Sequence, residues 1–296
     1  MSSVAVALEQ SISLFVYRCL ACPIAVFGNL IIVILILKSP TMRREKFNIL
    51  LVQLAAGDVI LGLGLGFKAL QYLVIPYGGH TTLSCTLLST PTLLGSYVSQ
   101  MTMLLIAIDR VVIVKKALVR YRSTYFYILR AMISFGVVFV ATVTQFLSLD
   151  GSAHIALCSL AMAWHPTYMA IYSFTMPIVN MVVVAFYLYA IWVYKTELQG
   201  ARTNVTYFYQ TVISVILAYS VLSCVPKWVF AILQLANVKH DWVAYVAVSI
   251  GITEGANSIL NIFVYGFSHR DIRKEIKQYL AQTAKVQPQS TSRRTQ

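Results

Sequence analysis

Charge is scarce in this sequence. Only 11% of its 296 residues are Asp, Glu, Lys or Arg, against about a quarter in soluble domains, and mean hydropathy is +0.74. Such a composition excludes a soluble globule. Acidic residues are rarest, ten against 23 basic ones. No HExxH or GxSxG run and no pair of catalytic aspartates occurs, so the usual signatures of an enzyme are missing. No span resembles another, which argues against an inverted-repeat transporter. The first twenty residues lack a basic leader, and Glu9 and Arg18 frame a short apolar run. A cleaved signal peptide is therefore not expected.

What the chain does have is seven apolar stretches, at 14–37, 47–75, 82–114, 124–148, 165–194, 205–235 and 242–266. A hydrocarbon core of about 30 Å needs roughly 20 residues of helix, because only internal hydrogen bonds satisfy the backbone there. The expected fold is an all-α membrane protein, a bundle of seven spans over 14–266 preceded by an amino-terminal segment, 1–13. After it, Ser268-x-x-Asp271 reads as a capping box. Ile272, Ile276, Tyr279 and Leu280 recur at helical spacing, predicting an amphipathic surface helix over 267–281. Residues 282–296 read as a disordered polar tail, with Ser290, Thr291, Ser292 and Thr295 as phosphorylation candidates. No room remains for a separate catalytic domain.

The net charge of +13 is one-sided. Lys38, Arg43, Arg44 and Lys46 follow span 1; Lys115, Lys116, Arg120 and Arg122 follow span 3; Arg270, Arg273, Lys274 and Lys277 follow span 7. Lys239 is the main exception on the other side. The positive-inside rule puts the amino terminus outside and the carboxyl tail in the cytoplasm of a multi-pass plasma-membrane protein. Basic juxtamembrane segments are drawn to anionic lipid, so no nucleic-acid partner is implied. The sequon Asn204-Val205-Thr206 then falls on the cytoplasmic side and reads as chance.

Five cysteines separate by depth: Cys19, Cys22 and Cys224 lie within spans, whereas Cys85 and Cys158 lie on the oxidising side. A bridge between the last two is chemically permitted, with two unpaired thiols as the alternative.

Motifs in order then resemble the rhodopsin-like (class A) G-protein-coupled receptors over nearly the whole chain. They are Gly28-Asn29 in span 1, Leu54-x-x-x-Asp58 in span 2, Cys85 and Asp109-Arg110-Val111 at the ends of span 3, Pro177, Pro226, and Asn261-Ile262-Phe263-Val264-Tyr265 in span 7. Val111 stands where the family has tyrosine, Ile262 where it has proline, and Cys224 where it has tryptophan. This loose version looks most like the nematode serpentine chemoreceptors of the Srsx class.

That resemblance implies a receptor binding an outside small molecule or peptide and activating a heterotrimeric G protein, with arrestin as a further partner. It assigns G-protein coupling to Asp109, Arg110, Leu118 and Tyr265, hinges to Pro177 and Pro226, and a sodium site to Asp58 with Ser99, Asn257, Ser258 and Asn261. A hydrated structural aspartate is the alternative for Asp58. Arg110 is expected to pair with Asp109 at rest; an interfacial anchor is its other reading. No acidic partner occurs around Thr206, so ligand-free activity is expected.

Charges within a span need a reason. Lys68, Lys227 and Glu254 lie two to three turns beneath the outer surface. Two cations facing one anion leave one cation for a ligand, or serve only as a structural pair. Gln71, Thr92, Ser96, Tyr97 and Trp228, with His154 and His165 near the mouth, would line an amphipathic pocket. Other readings are a light receptor, which span 7 discourages because it has no lysine for retinal, and a transporter or channel. For the latter, Gly62, Gly64 and Gly66 are the one suggestive cluster.

Overall fold

Span 1 buries a single stripe of its surface. Its buried positions Leu14, Arg18, Ala21, Ala25, Asn29, Ile32 and Ile36 recur every three or four residues and form one stripe. The opposite face is also apolar: Ile12, Leu20, Ile24, Phe27 and Ile31 are exposed. A helix hydrophobic all round is at rest in lipid. Ser11 caps it, its Oγ accepting from the Leu14 amide at 3.2 Å.

The computed structural model describes residues 7–74, 80–114, 124–147, 149, 153–155, 158, 165–197, 213–236, 238, 241–267 and 272–275. Seven helices there are long and apolar enough to cross a membrane: Ile12–Lys38, Phe47–Val74, Thr82–Val112, Arg130–Leu147, Thr167–Val193, Ile213–Leu235 and Tyr245–Val264. They are spans 1 to 7, and the chain is a multi-pass membrane protein. A short helix, Pro40–Arg44, turns the chain from span 1 into span 2. Leu118, the sequon, Thr206, the Tyr265 side chain, the capping box and the tail lie outside the described residues.

The bundle has two distinct ends. At one, β1 (His80–Thr81) pairs antiparallel with β2 (His154–Ile155), and Cys85 is bonded to Cys158 with a Cα–Cα distance of 5.2 Å. This lays the connection between spans 4 and 5 against the start of span 3. At the other end are Asp109 and Arg110, about 37 Å away along the same helix. Beside them Ile272, fully buried, joins the core formed by Ile36, Met42, Leu51 and Ile106. Ser39 Oγ donates to Glu275 Oε1 at 3.1 Å, while Arg273 and Lys274 point outward.

Small residues set the spacing of spans 1 to 3. A Cβ on Gly95 would come within 2.4 Å of the Leu61 backbone nitrogen, and one on Gly64 within 2.5 Å of that of Thr92. Gly62 faces Ala25 and Val26, and Gly66 faces Cys22. The glycines of span 2 that suggested a transporter are thus contact points where helices approach closely.

Spans 6 and 7 are not uniform α-helices. Span 6 widens into a π-helical turn at Ser220–Cys224, and span 7 ends in another at Ile262–Phe267. Pro226 sits in the first turn of the α-helix Val225–Leu235 that follows, where its missing N–H costs least. The irregularity at span 6 therefore lies just before the proline. Pro23, Pro91 and Pro177 lie inside helices.

Candidate functional site

Between the spans at the disulfide end is a cavity of about 110 Å³. Its polar wall is Glu9, Tyr17, Arg18, Lys68, Thr92, Tyr172 and Glu254; Leu65, Met169, Phe230 and Val248 supply apolar surface. Two charge pairs form here. Arg18 Nη2 lies 2.5 Å from Glu9 Oε2, and Lys227 Nζ lies 2.9 Å from Glu254 Oε1. Ser96 Oγ donates to that same Glu254 oxygen at 2.6 Å. Tyr17 ties span 1 to span 7 through the Ile252 carbonyl, 2.6 Å away.

Of the ligand residues expected from sequence, Lys68, Thr92 and Glu254 line this cavity, and Ser96 and Lys227 bind Glu254 beneath it. Three lie elsewhere. Tyr97 turns toward spans 4 and 5, its hydroxyl 3.0 Å from that of Tyr168. Trp228 packs on the large core, because it follows Lys227 by one residue and leaves the helix some 100° away. Gln71 is half-buried and outside the described cavity wall, and His154 and His165 are exposed. Arg18, Glu9, Tyr17 and Tyr172 are added by the structure. Arg18 carried a signal in sequence: a guanidinium within a span requires a partner.

Beneath the cavity lies a polar column. Asp58 accepts from Ser99 Oγ at 2.8 Å and from Asn261 Nδ2 at 2.9 Å. Ser258 Oγ donates to the Asp58 carbonyl at 3.5 Å, and Asn29 Nδ2 to the Ser258 carbonyl at 3.3 Å. Asp58, Ser99, Asn257, Lys227 and Glu254 share the wall of a second cavity of about 20 Å³. One water-sized occupant fits there. Glu254 belongs to both walls and joins the two.

Asn180, unremarked in sequence, links spans 3, 5 and 6. Its Oδ1 accepts from Tyr219 at 2.5 Å and from Gln100 Nε2, and its Nδ2 donates to the Ser223 carbonyl in the π-helical turn at 3.1 Å. Gln100 also reaches the Met176 carbonyl, 2.9 Å away, beside Pro177.

At the far end Asp109 and Arg110 each meet a residue of a neighbouring span. Asp109 Oδ1 lies 3.9 Å from Arg130 Nη1 on span 4, and the Arg110 guanidinium stands 3.8 Å over the Phe47 ring on span 2. Consecutive helical residues do not face each other, so span 3 directs the two side chains to different neighbours. The cation–π contact contributes on the order of 0.5–2 kcal/mol.

Among curated protein sequences, none matches this one. The family described as serpentine type 7TM GPCR chemoreceptor Srsx matches residues 22–280, a stretch running from span 1 through the polar column to the segment beyond span 7. With seven membrane-length helices, a Cys85–Cys158 bridge over one end and Asp109-Arg110 at the other, the chain belongs to the Srsx serpentine seven-transmembrane chemoreceptor family.

Proposed function

We propose that this chemoreceptor sits in the plasma membrane with its disulfide end outside. A small molecule or peptide enters the cavity there, and a heterotrimeric G protein docks at the Arg110 end. Lys68, Thr92 and Glu254 meet the ligand, while Asp109, Arg110, Leu118 and Tyr265 serve coupling. Asp58, Ser99 and Asn257 hold a sodium ion supported by Ser258 and Asn261, and arrestin takes the phosphorylated tail. The observation that carries this reading is that Glu254 lines both the outer cavity and the column leading to Asp58. A ligand favouring one arrangement of that carboxylate shifts the bundle between states by differential affinity and performs no chemistry.

The test is a ligand library applied to cells reporting cyclic nucleotide and calcium, with Arg110→Ala as the uncoupled control. A dose-dependent signal in wild type that the variant lacks is the expected outcome. Ligand-driven uptake of radiotracer without G-protein activation would instead identify a transporter.

A further inference from the structure

Both carboxylates of the outer cavity wall are already held by a close cation. Arg18 is matched by Glu9 and Glu254 by Lys227, each within 3 Å, which leaves Lys68. Lys68 is half-buried in the cavity wall and makes no salt bridge or hydrogen bond among the described residues; Glu9 and Glu254 act on it only through space. A second group is unsatisfied beside it. Thr92 is 5% exposed, and its Oγ1 is buried in the cavity wall with no hydrogen-bond partner among the described residues. Gly64 and Lys68 share a face of span 2 one turn apart, and Gly64 is the residue whose Cβ would strike Thr92 Oγ1 at 2.3 Å. The missing side chain at Gly64 brings the hydroxyl of span 3 up to the face of span 2 that carries Lys68.

Resting on the receptor reading above, we infer that the ligand is a small organic acid whose carboxylate is received by Lys68 and Thr92. The ammonium supplies the countercharge, and the Thr92 hydroxyl donates to an oxygen of the same group. Such charge-assisted bonds are about twice as strong as neutral ones. Leu65, Met169, Phe230 and Val248 then face the apolar body of the acid. A cationic ligand is disfavoured, because both carboxylates of the wall already hold a cation.

The experiment uses full-length receptor in nanodiscs of zwitterionic lipid and reads the unfolding temperature against a panel of short- and medium-chain carboxylic acids, each beside its primary amide. At least one acid is expected to stabilise wild type, with its amide at least about tenfold weaker. Lys68→Gln is expected to weaken the acid at least about tenfold and leave the amide within about threefold, with Lys68→Arg retaining the acid. Thr92→Val is expected to weaken it a few-fold. Lys68→Met, which keeps the packed stem and removes the charge, replaces Lys68→Gln should that variant fail to fold. The inference is overturned if no acid stabilises wild type, if acid and amide are equivalent, if the neutral variants bind the acid unchanged, or if anionic lipid alone reproduces the shift. The same acids are run in the G-protein assay: binding without activation removes the signalling reading and leaves this one standing, whereas activation by neutral compounds alone does the reverse.

Discussion

Asp58 and Glu254 are both buried carboxylates, 1% and 9% exposed, and they compensate their charge by different means. Glu254 has an ammonium at 2.9 Å and a hydroxyl at 2.6 Å. Asp58 has two neutral donors and no salt bridge among the described residues. Burying a carboxylate costs several kcal/mol even after the protein relaxes, so a lone negative charge attracts a cation. Around the 20 Å³ cavity, Asp58 and Glu254 bring two negative charges and Lys227 one positive, which leaves a deficit of one. Sodium in place of choline is therefore expected to raise the unfolding temperature of purified receptor, adding about 1.4 kcal/mol at ten times its dissociation constant. Asp58→Asn removes the deficit and should remove the response. An equal sodium shift in that variant would refute the site.

At the scale of helices, the Asn180 amide is tied into the π-helical turn of span 6. Asn180→Leu leaves the Tyr219 hydroxyl and the Ser223 carbonyl without this partner in a buried setting, at a cost of about 1–3 kcal/mol for each group so stranded. Hydrogen exchange should then quicken at Ser220–Cys224 while spans 1 and 2 keep their protection; unchanged exchange would mean the turn stands without Asn180. How much of this could be read from sequence follows from what each feature requires. A membrane helix announces itself by apolar length, and span 3 runs over 82–114 as expected. Asp58, Lys68, Lys227 and Glu254 stood out because a charge in lipid needs a reason. Asn180 and Gln100 are neutral amides of ordinary appearance, and a π-helical turn adds one residue without any compositional mark. The Glu9–Arg18 pair was hidden differently: nine residues is no helical spacing, and the two meet because the chain turns at Ser11 before span 1 begins.

Across the whole molecule, ligand and G protein are proposed to act at opposite ends, so the tie between spans 3 and 4 at the Arg110 end bears on the resting state. The sequence led to an expectation of ligand-free activity from the missing acidic group around Thr206. The structure adds a restraint of its own, the buried Asp109–Arg130 contact, with Arg110 laid on Phe47 beside it. If coupling requires Arg110 to leave Phe47 and face the G protein, a contact that fixes this end of span 3 to span 4 favours the uncoupled state. Removing it lowers that state's advantage, and each 1.4 kcal/mol of difference changes the population ratio about tenfold. Arg130→Ala is accordingly expected to raise ligand-free G-protein activation per receptor at the cell surface by several-fold, and Arg130→Lys by less. Adding Arg110→Ala should return the signal to background, which separates released coupling from nonspecific damage. The normalisation matters, because Arg130 is buried and its loss also lowers the amount of folded receptor. A surface-normalised signal equal to wild type would show that the Asp109–Arg130 contact persists in both states and does not gate the end at which Arg110 lies.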